Sequence, residues 1–111
     1  MGIALKGPDP VQLGVADTVL YTCPANTTAR VLKCTACNDT TTVPTFDINK
    51  VPSGGAEGDD TLLINGRALG SEDTYECPEV VGQVLEAGDF ISGIASGAAQ
   101  VTVAINVVEI V

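Results

Sequence analysis

The chain contains no histidine and no tryptophan, and its only aromatic residues are two tyrosines and two phenylalanines. Without histidine, the commonest general base, the Ser-His and Cys-His dyads and the commonest metal ligand are all missing. That composition makes an enzyme a poor expectation. Cations are scarce too: five Lys and Arg stand against fourteen Asp and Glu, for a net charge of −9. Phosphate backbones are bound by clustered Lys and Arg, and Arg30, Lys33, Lys50 and Arg67 are scattered, so nucleic acid is not an expected partner. An anionic membrane surface is disfavoured for the same reason. No apolar run approaches the ~20 residues of a membrane helix, and the apolar stretch from Val101 to Val111 is interrupted by Thr102, Asn106 and Glu109. The start, Met1-Gly2-Ile3-Ala4-Leu5-Lys6, reaches Gly7-Pro8-Asp9 too soon for a signal peptide. Lys6 stands where a myristoylation signal carries Ser or Thr. The expectation is a soluble protein made in the cytoplasm without export.

What is present is 45% apolar residues over 111 positions, enough for one domain with a real core. The apolar residues recur with a period near two, and β-branched residues are frequent, which predicts strands. Those strands are Thr18–Thr22, Thr28–Asn38, Val43–Lys50, one opening at Thr61, Thr74–Cys77, Val80–Leu85, Phe90–Ala95 and Gln100–Ile110. Asn65-Gly66 reads as a tight turn or a bulge, and residues 52–60 (PSGGAEGDD) as a flexible acidic loop. No stretch carries a helical stripe with caps. Eight short strands with regular turns predict an all-β fold, an antiparallel β-sandwich or barrel. Residues 1–14 hold Gly2, Gly7, Pro8, Pro10 and Gly14, and so read as an extended N-terminal arm, with a single sandwich domain over 15–111.

The sharpest chemical candidate is Cys34-Thr35-Ala36-Cys37, with Cys23 and Cys77 elsewhere. A four-cysteine zinc site pairs two Cys-x-x-Cys knuckles, and only one is present. On a regular strand positions 34 and 37 face opposite sides. Buried, reduced thiols are therefore expected, with no metal and no cofactor. The segment Glu57-Gly58-Asp59-Asp60 lacks the regular ligand spacing of a calcium loop and reads as solvated. The pairs Glu72/Asp73 and Glu76/Glu79 have no basic neighbour in sequence and read as surface charge. Within the arm, Ile3, Leu5, Val11 and Leu13 are apolar side chains that an open segment would bury against a partner, for example by adding a strand to an exposed edge.

Two segments carry a family likeness. Leu20-Tyr21-Thr22-Cys23-Pro24-Ala25-Asn26-Thr27-Thr28-Ala29-Arg30-Val31 resembles a strand, Pro-Ala turn, Thr-Thr strand signature. Val84-Leu85-Glu86-Ala87-Gly88-Asp89 resembles an apolar strand leading into a Leu-Glu-Ala-Gly-Asp turn. Both are similar to segments of small structural proteins of tailed bacteriophages, chiefly the capsid decoration (cementing or staple) proteins of short-tailed phages. The likeness spans about residues 17 to 110 and rests on turns. It implies a jelly-roll-like sandwich on the outer capsid surface of the virion, bound to the major capsid protein beside neighbouring copies of itself. A tail or fibre accessory protein of the same fold stays open. So does a carbohydrate-binding module, which requires an exposed aromatic platform.

Overall fold

The computed structural model describes residues 2–111, folded as ten strands with no helix among them. In chain order these are β1 (Ile3–Lys6), β2 (Val11–Gln12), β3 (Thr18–Thr22), β4 (Thr28–Cys37), β5 (Thr45–Val51), β6 (Leu62–Ala68), β7 (Thr74–Tyr75), β8 (Val84–Leu85), β9 (Phe90–Ala95) and β10 (Thr102–Ile110). The larger sheet runs β1-β10-β4-β7, with β2 also on β10 and β8 also on β4; the smaller runs β3-β9-β5-β6. Every pairing is antiparallel.

Counting β1 with β2, and β7 with β8, as single interrupted strands gives eight, the expected number but not the expected set: the N-terminal segment supplies one, and the two strands expected at 74–77 and 80–85 merge into one. Renumbered so, the sheets read 1-8-3-6 and 2-7-4-5. Every chain connection then crosses to the other sheet except that between strands 4 and 5, the β5–β6 hairpin, which is the double Greek key of a jelly roll. The alternation that marks the strands also builds the core. Val103, Ile105 and Val107 of β10, and Ala29, Val31 and Cys34 of β4, point inward to meet Phe46, Ile48 and Ile91 from the smaller sheet.

Residues 2–14 correct the expected arm and its boundary. Ile3 to Lys6 pair with Ile110 to Val107, and Val11 and Gln12 with Val103 and Thr102. This segment is the first strand of the sandwich, so the domain begins at β1 rather than at residue 15. The breakers Gly7, Pro8 and Pro10 sit between β1 and β2, where lost N–H donors cost no ladder bond.

Two other segments differ from their expected form. Val80 is fully buried, but in a turn closed by its own N–H to the Cys77 carbonyl, so the strand expected from Val80 shrinks to β8. At Asn65-Gly66 the strand continues through a bulge. Gly66 has φ +61°, and its N–H donates to Asp47 Oδ1 at 2.6 Å.

One polar contact joins the sheets inside. The hydroxyl of Tyr21 (β3) donates to Glu109 Oε2 (β10) at 2.6 Å, with both residues buried. Glu109 follows Val103, Ile105 and Val107 on the inward side of β10, so the alternation itself carries it inside. Burial, and then the hydrogen bond to Glu109, hold the tyrosine proton more tightly than in the unfolded chain. Stability is thus full below pH 10, the ordinary tyrosine value, and falls as pH rises beyond it. Tyr21→Phe is expected to cost about 2 kcal/mol at neutral pH by leaving Glu109 without its donor. The variant should also show a shallower alkaline loss in urea titrations between pH 9 and pH 11. Equal slopes for both proteins would refute this account.

Candidate docking surface

The four N-terminal candidates divide. Leu13 is fully buried and packs in the chain's own core, and Val11 is half-buried against that core. Neither is free for a partner, because β2 and the turn after it cover one end of the sandwich. Ile3 and Leu5 stay 70% and 76% exposed. Their strand, β1, is an edge: one side pairs with β10, and no described strand pairs with the other. An edge of this kind offers unpaired N–H and C=O groups to another strand.

Register shows what surrounds them. Across the outward face of the larger sheet, Leu5 pairs with Val108, Val108 with Arg30, and Arg30 with Val84. The adjacent row is Ile3, Ile110 and Thr28. Paired residues project to the same side, so these rows form one surface of aliphatic side chains around a guanidinium. Leu32 and Val81 extend it, and together with Lys33, Glu76 and Pro78 they line an adjoining groove of about 410 Å³. Lys33 meets Glu76 there at 3.9 Å across exposed side chains, a contact worth little in water. Glu109 is the only acid within β1, β4, β8 and β10, and it points inward.

The opposite side of the molecule differs. Over the smaller sheet, Asp17, Asp47, Glu57 and Asp59 line a cleft of about 250 Å³ together with Asn49, Asn65 and Ile94. Burial, then the charges of Glu57 and Asp47, push the Asp17 carboxyl up from its ordinary value. Among the described residues, no three acidic or cysteine side chains are placed to hold a metal ion. The two faces therefore differ: the outer face of the larger sheet is mainly aliphatic with few charges of either sign, and that of the smaller sheet is acidic.

Cys34 is buried and Cys37 exposed, as strand alternation requires, and all four cysteines are free. Of the aromatics, Phe46 and Tyr21 are in the core. Tyr75 packs edge-on against Phe46 with ring centroids 6.4 Å apart, while the Arg67 guanidinium lies 3.8 Å from its ring centre. The sugar-stacking face that a carbohydrate module needs is thus taken up by protein at Tyr75. Sequence reasoning missed the role of Arg30 and Val84, because their place beside Leu5 depends on pairings between segments distant in the chain.

No protein-family model matches the sequence, and a search of curated proteins finds no match.

Proposed function

We propose that the protein is a structural component of a phage virion that docks on the outer capsid surface through the β1 edge and the adjoining face of the larger sheet. There it bridges major capsid subunits and stabilises the shell. The observation that carries this reading is the placement of Ile3 and Leu5, apolar and largely exposed, on an open strand edge beside a mainly aliphatic surface that Glu76 and Glu86 adjoin. The turn segments at residues 20–31 and 84–89, similar to those of capsid decoration proteins, supply the choice of shell as partner. Strand addition to β1 supplies main-chain hydrogen bonds, while the aliphatic rows supply apolar burial. A lattice repeats the contact, so weak single sites add up, and whatever binds only the assembled shell stabilises it by mass action. The acidic face of the smaller sheet then points to solvent and keeps particles apart.

Leu5→Glu places a charge in this contact and leaves the core untouched. Apparent affinity for particles lacking the protein is expected to fall at least about tenfold, with the urea midpoint of the free protein unchanged. Particles carrying the wild-type protein should also disrupt at a higher temperature than bare particles of the same genome content. Unchanged Leu5→Glu binding would refute the docking face. Equal disruption temperatures, or localisation of the protein to the tail alone, would replace the cementing role with that of a tail accessory.

A further inference from the structure

Two of the four cysteines lie opposite one another across the larger sheet. In the β4–β7 ladder, Ala36 pairs with Tyr75 and Cys37 with Thr74. Continued by two residues along each strand, the same antiparallel register sets Cys34 against Cys77. The strands have begun to part there, since Cys77 has φ +43° and starts the turn that runs to Val81. Even so, the two thiols face each other inside the same buried cluster, and the Cys77 sulfur also lies near the Ala36 N–H. Directly opposed residues of an antiparallel pair have Cα separations of about 4.5–5.5 Å, inside the range a disulfide spans. Neither Cys23 nor Cys37 shares this arrangement. Cys23 donates to the carbonyls of Thr27 and Leu85 at the other end of β4, and Cys37 is exposed on the outer face.

We infer that Cys34 and Cys77 form an intramolecular disulfide when the folded protein meets a low-molecular-weight disulfide such as oxidised glutathione. The inference holds whatever surface the protein docks to. In the first step the Cys77 thiolate attacks one sulfur of the oxidant, forming a mixed disulfide and releasing one glutathione thiolate. Cys34 then gives up its proton and attacks the Cys77 sulfur, and the second glutathione leaves as thiolate. Two protein thiols are oxidised and one glutathione disulfide is reduced to two thiols. The roles follow from placement: Cys77 starts the turn after β7 and is flanked by exposed residues, whereas Cys34 is buried in the middle of β4. Access comes from above Cys77. That residue is buried, but its neighbours Glu76, Pro78 and Glu79 are exposed, and β7 is only two residues long. Local opening of this turn is enough to admit the oxidant.

The protein is incubated natively with oxidised glutathione, its remaining thiols are alkylated, and the digest is mapped by mass spectrometry without reduction. Cys37→Ser serves as the working background, because it removes the exposed thiol that otherwise exchanges between molecules. The expected product is a linked pair of peptides carrying Cys34 and Cys77, lighter by two hydrogens, with Cys23 alkylated only after unfolding. The thermal midpoint of the cross-linked protein should rise by on the order of 10 °C and return when the bond is reduced. With Cys34→Ala added, Cys77 should retain glutathione as a stable adduct. The wild-type chain supplies the control for access, since exposed Cys37 must react under the same conditions. Complete modification of Cys37 with no 34–77 link overturns the inference. A link from Cys77 to Cys23 or Cys37 overturns it equally.

Discussion

Leu13→Ala is expected to cost about 4 kcal/mol of folding stability, read as a large drop in the urea midpoint, whereas Leu5→Ala should change it by less than about 0.5 kcal/mol. Both residues belong to a segment that looks in sequence like a loose leader. Leu13 has no exposed surface, and its backbone is fixed on both sides: its N–H donates to the Val101 carbonyl at 2.7 Å, and its carbonyl accepts from Ala99. The side chain lies over Gly93 of β9. A methyl group placed on that glycine would come within 2.9 Å of Leu13 Cδ2 and 3.1 Å of Ile48 Cδ1. Gly93 is therefore the floor of a slot that Leu13 fills. Truncating Leu13 opens a void between rigid sheets that cannot collapse onto one another, which is the expensive case of cavity formation. Deleting residues 2–13 should be worse still, leaving one whole edge of β10 without its partners. A midpoint near wild type for Leu13→Ala would show that the segment is dispensable after all.

Asn38→Asp is expected to cost about 3 kcal/mol, although it changes a single atom. Asn38 is fully buried where β4 ends. Its amide nitrogen donates among the carbonyls of Thr42, Leu69 and Gly70, at 2.8, 3.1 and 3.0 Å. Its Oδ1 accepts from the Thr40 N–H and hydroxyl, and its own N–H reaches the Asp73 carbonyl. One side chain thus ties the turn after β4 to the segment that joins β6 and β7. A carboxylate there has no hydrogens to offer and faces carbonyl oxygens, so it repels what the amide attracts. Asn38→Ala should cost a similar amount by leaving those carbonyls without donors. Urea unfolding of both variants at neutral pH provides the check, and a loss below 1 kcal/mol in each would refute the anchor role.

The sandwich was legible because its core strands alternate, as in Val101, Val103, Ile105 and Val107. Regular alternation needs no knowledge of the partner strand. The N-terminal strand was not legible, because Gly7, Pro8 and Pro10 are breakers by local rules. They cease to matter only when β10, about a hundred residues away, supplies both halves with a ladder. Val80 misled in the other direction: a β-branched pair reads as strand, yet Pro78 and Gly82, with φ +89° at the latter, bend it into a turn. For the docking face, the sequence singled out Ile3 and Leu5 by apolarity. It held no sign that Arg30 and Val84 continue the Leu5 row, because register is set by the assembled sheet. Asn38 stood out only as the last residue of the expected strand Thr28–Asn38, since an asparagine that caps its own loop and one that braces two loops look alike in one dimension.

The position of β10 has a consequence for how the chain is made. It is the last of the ten strands to leave the ribosome, yet it sits between β1 and β4 in the middle of the larger sheet. Until it emerges, β1 has no hydrogen-bonding partner and β4 lacks one of its own. Vectorial synthesis therefore cannot build this sheet strand by strand, and the nascent chain must wait with β1 unpaired and Leu13 uncovered. Distant pairings of this kind fold slowly, in milliseconds to seconds. Nascent chains arrested before residue 102 should accordingly be sensitive to protease along most of the larger sheet, and become resistant in a single late step when β10 is released.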